Sequence, residues 1–268
     1  MINIYSLPAI LALIAKFFIL YFSQRAKIQN FNTRLFTLAV VFSVGMSVIE
    51  VTGFNYGFQN EYRDWFGFAY FAAVIPLIAT LAHLSILIVF NNPLLYTPLF
   101  IYSYAVVLEV LLLFTPLLVA GFEPFRGYTI LRIAGPFYGL FEIFIIGSML
   151  SMVFFPLWGL RLGQPALVRR QCKLWVAAAA PLALLTIFII LLPHFKVRLF
   201  NSTATTPLLF TLLLAAIGYA VHNSASSSRI FICPGRALGN IKLNFTPTFI
   251  GSHMKFRSST LHRRSLIG

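Results

Sequence analysis

The sequence predicts an all-α polytopic membrane protein: a seven-helix transmembrane bundle with its N-terminus outside and its C-terminus cytoplasmic. Three observations predict it. Mean hydropathy is +0.88, with 59% hydrophobic and only 10% charged residues, far from the balance of an ordinary soluble domain. The apolar residues collect into runs near the 20 or so residues that cross a hydrocarbon core about 30 Å thick. The basic residues collect between alternate runs, which orients a membrane protein.

The clearest stretch lies between Gly135 and Pro193. An apolar run (Phe137–Leu160) leads to a basic segment with Arg161, Arg169, Arg170 and Lys173, and a second run (Leu174–Leu192) follows. Two spans joined by a positive loop place that loop in the cytoplasm.

From the N-terminus, the expected spans are Ile4–Phe22, Phe31–Phe54, Trp65–Phe90, Leu99–Ala120, Phe137–Leu160, Leu174–Leu192 and Pro207–His222. The first begins almost at Met1 without a basic flank, so it reads as a retained span rather than a cleaved leader. The fourth contains Pro116 and the seventh is the shortest. Pro76 and Pro181 lie inside the third and sixth, where lipid-embedded helices tolerate proline because neighbours satisfy the freed carbonyl. With the N-terminus outside, 14 of the 20 Lys and Arg residues fall in or beside cytoplasmic segments, 5 fall outside, and Lys16 lies within the first span. Trp65, Trp158 and Trp175 sit at span ends, the expected place for headgroup-level anchors. The organisation expected is a membrane domain over 1–222 and a basic, Ser-rich, disordered cytoplasmic tail over 223–268.

The net charge of +14 belongs to loops and tail that face anionic lipid headgroups rather than nucleic acid. Cys172 and Cys233 stand alone, without metal or disulfide spacing. There is no phosphate-binding glycine loop, no His-Glu-x-x-His and no Gly-x-Ser-x-Gly. No cofactor, no metal and no enzymatic activity of the chain's own are therefore expected.

Three acids fall inside the runs: Glu50, Glu109 and Glu142. An ionisable group in hydrocarbon is costly, so each is a candidate functional residue. Glu50 and Glu142 lie about 5 to 10 Å below the outer surface at 1.5 Å per residue. With Arg132 and Tyr138 they form a candidate ligand-binding cluster, near Arg63 and Asp64. Interhelical hydrogen bonding is the competing reading. Glu109 and His83, both within spans, are a candidate proton-relay pair. Asn201-Ser202-Thr203 is a glycosylation sequon in an expected outside loop.

Several features recur in order along residues 5 to 235: Thr33-Arg34-Leu35-Phe36 after the first basic loop, Glu50 late in the second run, Pro76 ahead of Ala82-His83-Leu84, Gly135-Pro136-Phe137-Tyr138 opening the fifth run, Arg169-Arg170-Gln171 leading into the sixth, and Arg229-Ile230-Phe231-Ile232-Cys233-Pro234 after the last. In this order and spacing the chain resembles the seven-transmembrane N-terminal sensor region of bacterial histidine kinases, the membrane part without its kinase domain. The resemblance implies a signal-sensing input module in a bacterial inner membrane. Its output surface would be Arg161, Arg169, Arg170, Lys173 and Arg229. Its partners would be membrane lipids, a separate signalling protein and a second copy of the chain. Family members usually continue into kinase or cyclase domains, and an Asp stands where this chain has Ile232-Cys233. A small membrane transporter or permease subunit is the alternative from another class.

Overall fold

The computed structural model describes residues 4–25, 31–57, 61–90, 96–125, 129–162, 165–191 and 206–227. The chain divides into two compact units, Met1–Phe231 and Ile232–Gly268, and every described residue belongs to the first. Seven helices run through it: α1 (Leu7–Gln24), α2 (Phe31–Thr52), α3 (Arg63–Leu87), α4 (Tyr96–Phe114), α5 (Tyr138–Arg161), α6 (Ala166–Leu191) and α7 (Thr206–Ser227). A two-stranded antiparallel hairpin, β1 (Val119–Phe125) and β2 (Thr129–Ala134), stands between α4 and α5. Most of the expected tail, including Arg229, Cys233 and Arg236, lies outside the described residues, as does the sequon.

Among the described residues, six helices are long and apolar enough to cross a membrane: α1, α2 with its continuation to Tyr56, α3, α4 from Thr97, α5 and α6. In α7 the apolar stretch is shorter, Pro207–Tyr219. Their outward faces carry Phe18, Phe100, Ile143, Leu184 and Leu212, each at least 60% exposed. Apolar surface on this scale needs lipid, not water, around it. The interior is mostly apolar, and two helices add buried polar residues to it. Helix α1 buries Ala9, Ala12, Lys16 and Ser23, a stripe of small and polar residues of the kind that brings membrane helices together. Helix α2 buries Ser43, Ser47 and Glu50 along one face.

Helix contacts close a ring in the order α1, α2, α3, α5, α6, α7 and back to α1, and α4 packs outside it against α3 and α5. The second half of α3 is the core: every residue from Val74 to Leu87 is buried except Pro76. At the far end of α5, Gly159 permits a tight crossing, since a Cβ there would lie 2.9 Å from Val89 Cγ2 and 3.2 Å from Cys172 Sγ. Pro8, Pro98 and Pro207 sit in first helical turns, where a missing N–H costs nothing.

Two expectations are corrected. The fourth run does not continue to Ala120: α4 stops at Phe114, and Val119 and Ala120 already belong to β1. Pro116 removes a donor that a continuing helix would need, and the chain turns instead into the hairpin. The bundle is thus helical with one added β element. Trp175 is not a headgroup anchor, because it is fully buried; it shares the inward stripe of α6 with Gln171, Cys172, Ala179 and Leu182. Trp65 and Trp158 are exposed at span ends, as anchors should be.

Candidate functional site

The hairpin docks on the start of α3. Phe122 is buried over Gly67, whose position has no room for a Cβ beneath the ring. The ring meets Phe68 edge-on at 5.3 Å and Phe71 at 5.9 Å. The Phe122 backbone N–H donates to Asp64 Oδ1 at 3.1 Å, and Arg63 Nε lies 3.7 Å from the same oxygen. At the base, Gly135 N donates to Leu118 O (3.0 Å) and Phe137 N to Leu117 O (2.8 Å), which ties the strands to the start of α5.

Phe122 and Arg132 are paired across the strands, so both side chains project to the same face of the hairpin. Docking Phe122 on α3 therefore aims Arg132 into the bundle. There the guanidinium carbon lies 4.6 Å from the centre of the Tyr138 ring, a cation–π arrangement. Glu142, one turn further along α5, acts on the same Tyr138 hydroxyl. Three of the four expected binding residues thus come together.

Arg132 and Tyr138 line a cavity of about 120 Å³ bordered by α3, β2, α5, α6 and the start of α7, while Glu142 is not among its lining residues. Phe71, Val74, Phe141 and Ile190 line it with apolar surface, and Tyr70, Arg132, Tyr138 and Thr186 supply the polar groups. Phe71 and Phe141 meet at 5.1 Å, forming one aromatic wall. The site has the usual make-up of a small-ligand pocket, mostly apolar with a few placed polar atoms.

Glu50, the fourth expected residue, does not line this cavity. It lies behind Tyr70, whose hydroxyl faces it from α3. The Glu50 side chain is fully buried, and neither carboxylate oxygen has a hydrogen-bond partner of ordinary geometry. Its countercharge comes from Lys16 on α1, also fully buried. The Lys16 ammonium donates to Ser47 Oγ at 2.6 Å and to the Ser43 carbonyl at 3.2 Å. Lys16 stands at the middle of α1, so the charge lies inside the bundle rather than at its end. The sequence signalled it only by placing Lys16 and Glu50 inside apolar runs. Just past Glu50, α2 widens into a π-helical turn, Gly53–Gly57, with Asn55 Nδ2 donating to Val51 O at 2.7 Å; such turns recur beside functional sites.

The remaining candidates separate. His83 Nδ1 pairs with Tyr102 Oη at 3.1 Å, two helical turns from Glu109, and Glu109 Oε1 has no partner. The expected Glu109–His83 relay therefore does not form. At the opposite end of the bundle Arg161, Arg169, Arg170 and Lys173 are all exposed, which leaves them free as a basic surface. Among the described residues no group of three or more His, Cys, Asp or Glu is placed to hold a metal. A second, almost wholly apolar cleft of about 330 Å³ lies between α4 and α5.

No protein-family model matches the chain, and no curated protein matches it.

Proposed function

We propose that this chain is a non-enzymatic signal-sensing module of a cell membrane, with seven spans, its N-terminus outside and its C-terminus cytoplasmic, and that the cavity beneath the hairpin is its input site. The observation that carries this reading is Arg132, held over Tyr138 by the docked hairpin at the entrance to an aromatic cavity. A cation there, backed by tyrosine hydroxyls and a phenylalanine wall, suits a small carboxylate with a short apolar body. The resemblance to the sensor region of histidine kinases supports sensing as the use of that site, in a bacterial inner membrane, with a separate two-component signalling protein as partner.

The mechanism is a population shift. Helices α3, α5 and α6 line the cavity at one end, and α5 and α6 carry the basic surface at the other. A ligand that favours one packing of these three helices shifts the population toward it by as much as it discriminates between packings, and with it the placement of Arg161 relative to Arg169 and Arg170.

Thermal unfolding of the full chain in lipid nanodiscs, against a series of carboxylates from acetate to benzoate, tests this. A ligand at 100 times its Kd adds about 2.7 kcal/mol, and Arg132→Gln should abolish the shift. A series in which no member stabilises the protein, or in which Arg132→Gln responds like the wild type, would overturn the reading. The buried Lys16–Glu50 layer favours one second reading, a small transporter, because intramembrane charges mark ion and substrate pathways. Uptake of a carboxylate by reconstituted vesicles would decide for it, since a sensor shows none.

A further inference from the structure

We propose that Glu50 is a proton-binding site inside the membrane domain, loaded and unloaded from the hairpin-end cavity through the Tyr70 hydroxyl. Glu50 itself does not line the Arg132 cavity, and Tyr70, which does, stands between the two. Glu50 is wholly buried, yet both its oxygens lack a donor. A buried carboxylate normally recruits donors or a direct ion pair, because leaving it bare costs several kcal/mol. Here the nearest cation, Lys16, spends two of its donors on Ser47 and Ser43 instead and makes no contact with Glu50 within 4.0 Å. Protonation of the carboxyl removes the charge that those absent donors would otherwise have to offset.

A proton fits this place better than a metal cation. A metal ion of this kind needs about six oxygen ligands, and the Lys16 ammonium already occupies the neighbourhood and would repel it. A proton needs one oxygen. The groups facing Glu50 are few: Lys16 from α1 and Tyr70 from α3, while α7, the third helix packed on α2, has no charged side chain over Pro207–Tyr219. The route is equally short. Tyr70 touches Glu50 on one side and lines the cavity on the other. Its hydroxyl passes its proton to a Glu50 oxygen and takes another from a hydrated proton in the cavity; the O–H bond broken on Tyr70 is re-formed and only the carboxylate gains. Release runs in reverse, with Lys16 balancing the carboxylate left behind.

The test is infrared difference spectroscopy of the full chain in lipid nanodiscs, stepped between acidic and alkaline pH. A protonated-carboxyl C=O band should appear on the acid side and vanish on the alkaline side. Glu50→Gln should delete it, Glu109→Gln and Glu142→Gln should retain it, and Tyr70→Phe should slow its hydrogen–deuterium exchange. Glu50→Asp, which keeps the acid, should move the band, and it serves if the amide variant does not fold. A pH-invariant band, a band that survives Glu50→Gln, or one that responds to sodium at fixed pH would each overturn the proposal. The carboxylate-binding test turns on Arg132 and this one on Glu50, which does not line the cavity, so failure here is distinct from failure of that test.

Discussion

Lys16 shows how much of the interior depends on one side chain. At alkaline pH, where Glu50 has released its proton, Lys16→Met would leave the fully buried carboxylate with no countercharge, and breaking a buried charge arrangement from one side costs about 3 to 5 kcal/mol. The double variant Lys16→Met/Glu50→Gln removes both charges and should recover most of that loss. Equilibrium unfolding in mixed micelles measures it; equal destabilisation by the single and double variants would mean that the two charges do not act on each other. Glu50 and Glu142 were legible in the sequence because an acid inside an apolar run is rare and expensive. The pairing of Glu50 with Lys16 was not, because it depends on the rotation of two helices about their own axes, which no single run of residues states. Trp175 failed for a related reason. Its position at a span end suggested the membrane interface, but its inward direction follows from the helical spacing with Cys172, Ala179 and Leu182.

At the scale of elements, the hairpin is what the sequence concealed. An isolated two-stranded hairpin is marginal in water, so its strands are fixed by α3 and α5 rather than by their own composition. Residues 121–136 stood between two expected spans as a connection, with Arg132 read as a candidate binding residue, while Pro116 inside the fourth run was the visible sign that the helix had to stop. Gly67 is the element's anchor point. Gly67→Val would drive a side chain into the Phe122 ring, and overpacking of this kind costs about 1 to 3 kcal/mol. The displaced hairpin would also carry Arg132 away from Tyr138, so carboxylate-induced stabilisation should fall together with the melting temperature. Gly45→Ala is the contrasting case. Nothing lies within 4 Å of an added Cβ there, and replacing glycine with alanine inside a helix gains about 0.8 to 1 kcal/mol. Melting curves that move the same way for both variants would show that space around the Cβ does not govern either site.

Across the whole molecule, most run boundaries were legible because lipid imposes length and apolarity on every span; the exceptions are the fourth run, which ends early, and the sixth, where α6 already begins at Ala166 and carries Arg169, Arg170 and Lys173 on the helix rather than in a loop. The closed ring, with α4 left outside it, was not legible, since hydropathy carries no information about which spans touch. The proposed orientation rests on the basic residues: Arg161, Arg169, Arg170 and Lys173 gather at one end of the bundle, while the hairpin covers the other. Glu123 on β1 and Ala166 at the start of α6 are both exposed and stand at these opposite ends. With Cys233 replaced by Ser, and Cys172 shielded by its burial, single cysteines at the two positions report on the two faces separately, and neither substitution alters the Lys and Arg pattern that sets the orientation. Glu123→Cys should react with a membrane-impermeant maleimide in intact cells, and Ala166→Cys should react only after the membrane is opened. The reverse pattern would turn the bundle over and place the arginine-lined cavity on the cytoplasmic side, where it would read an internal metabolite in place of an external one. Labelling of both positions in intact cells would deny that the bundle separates them at all.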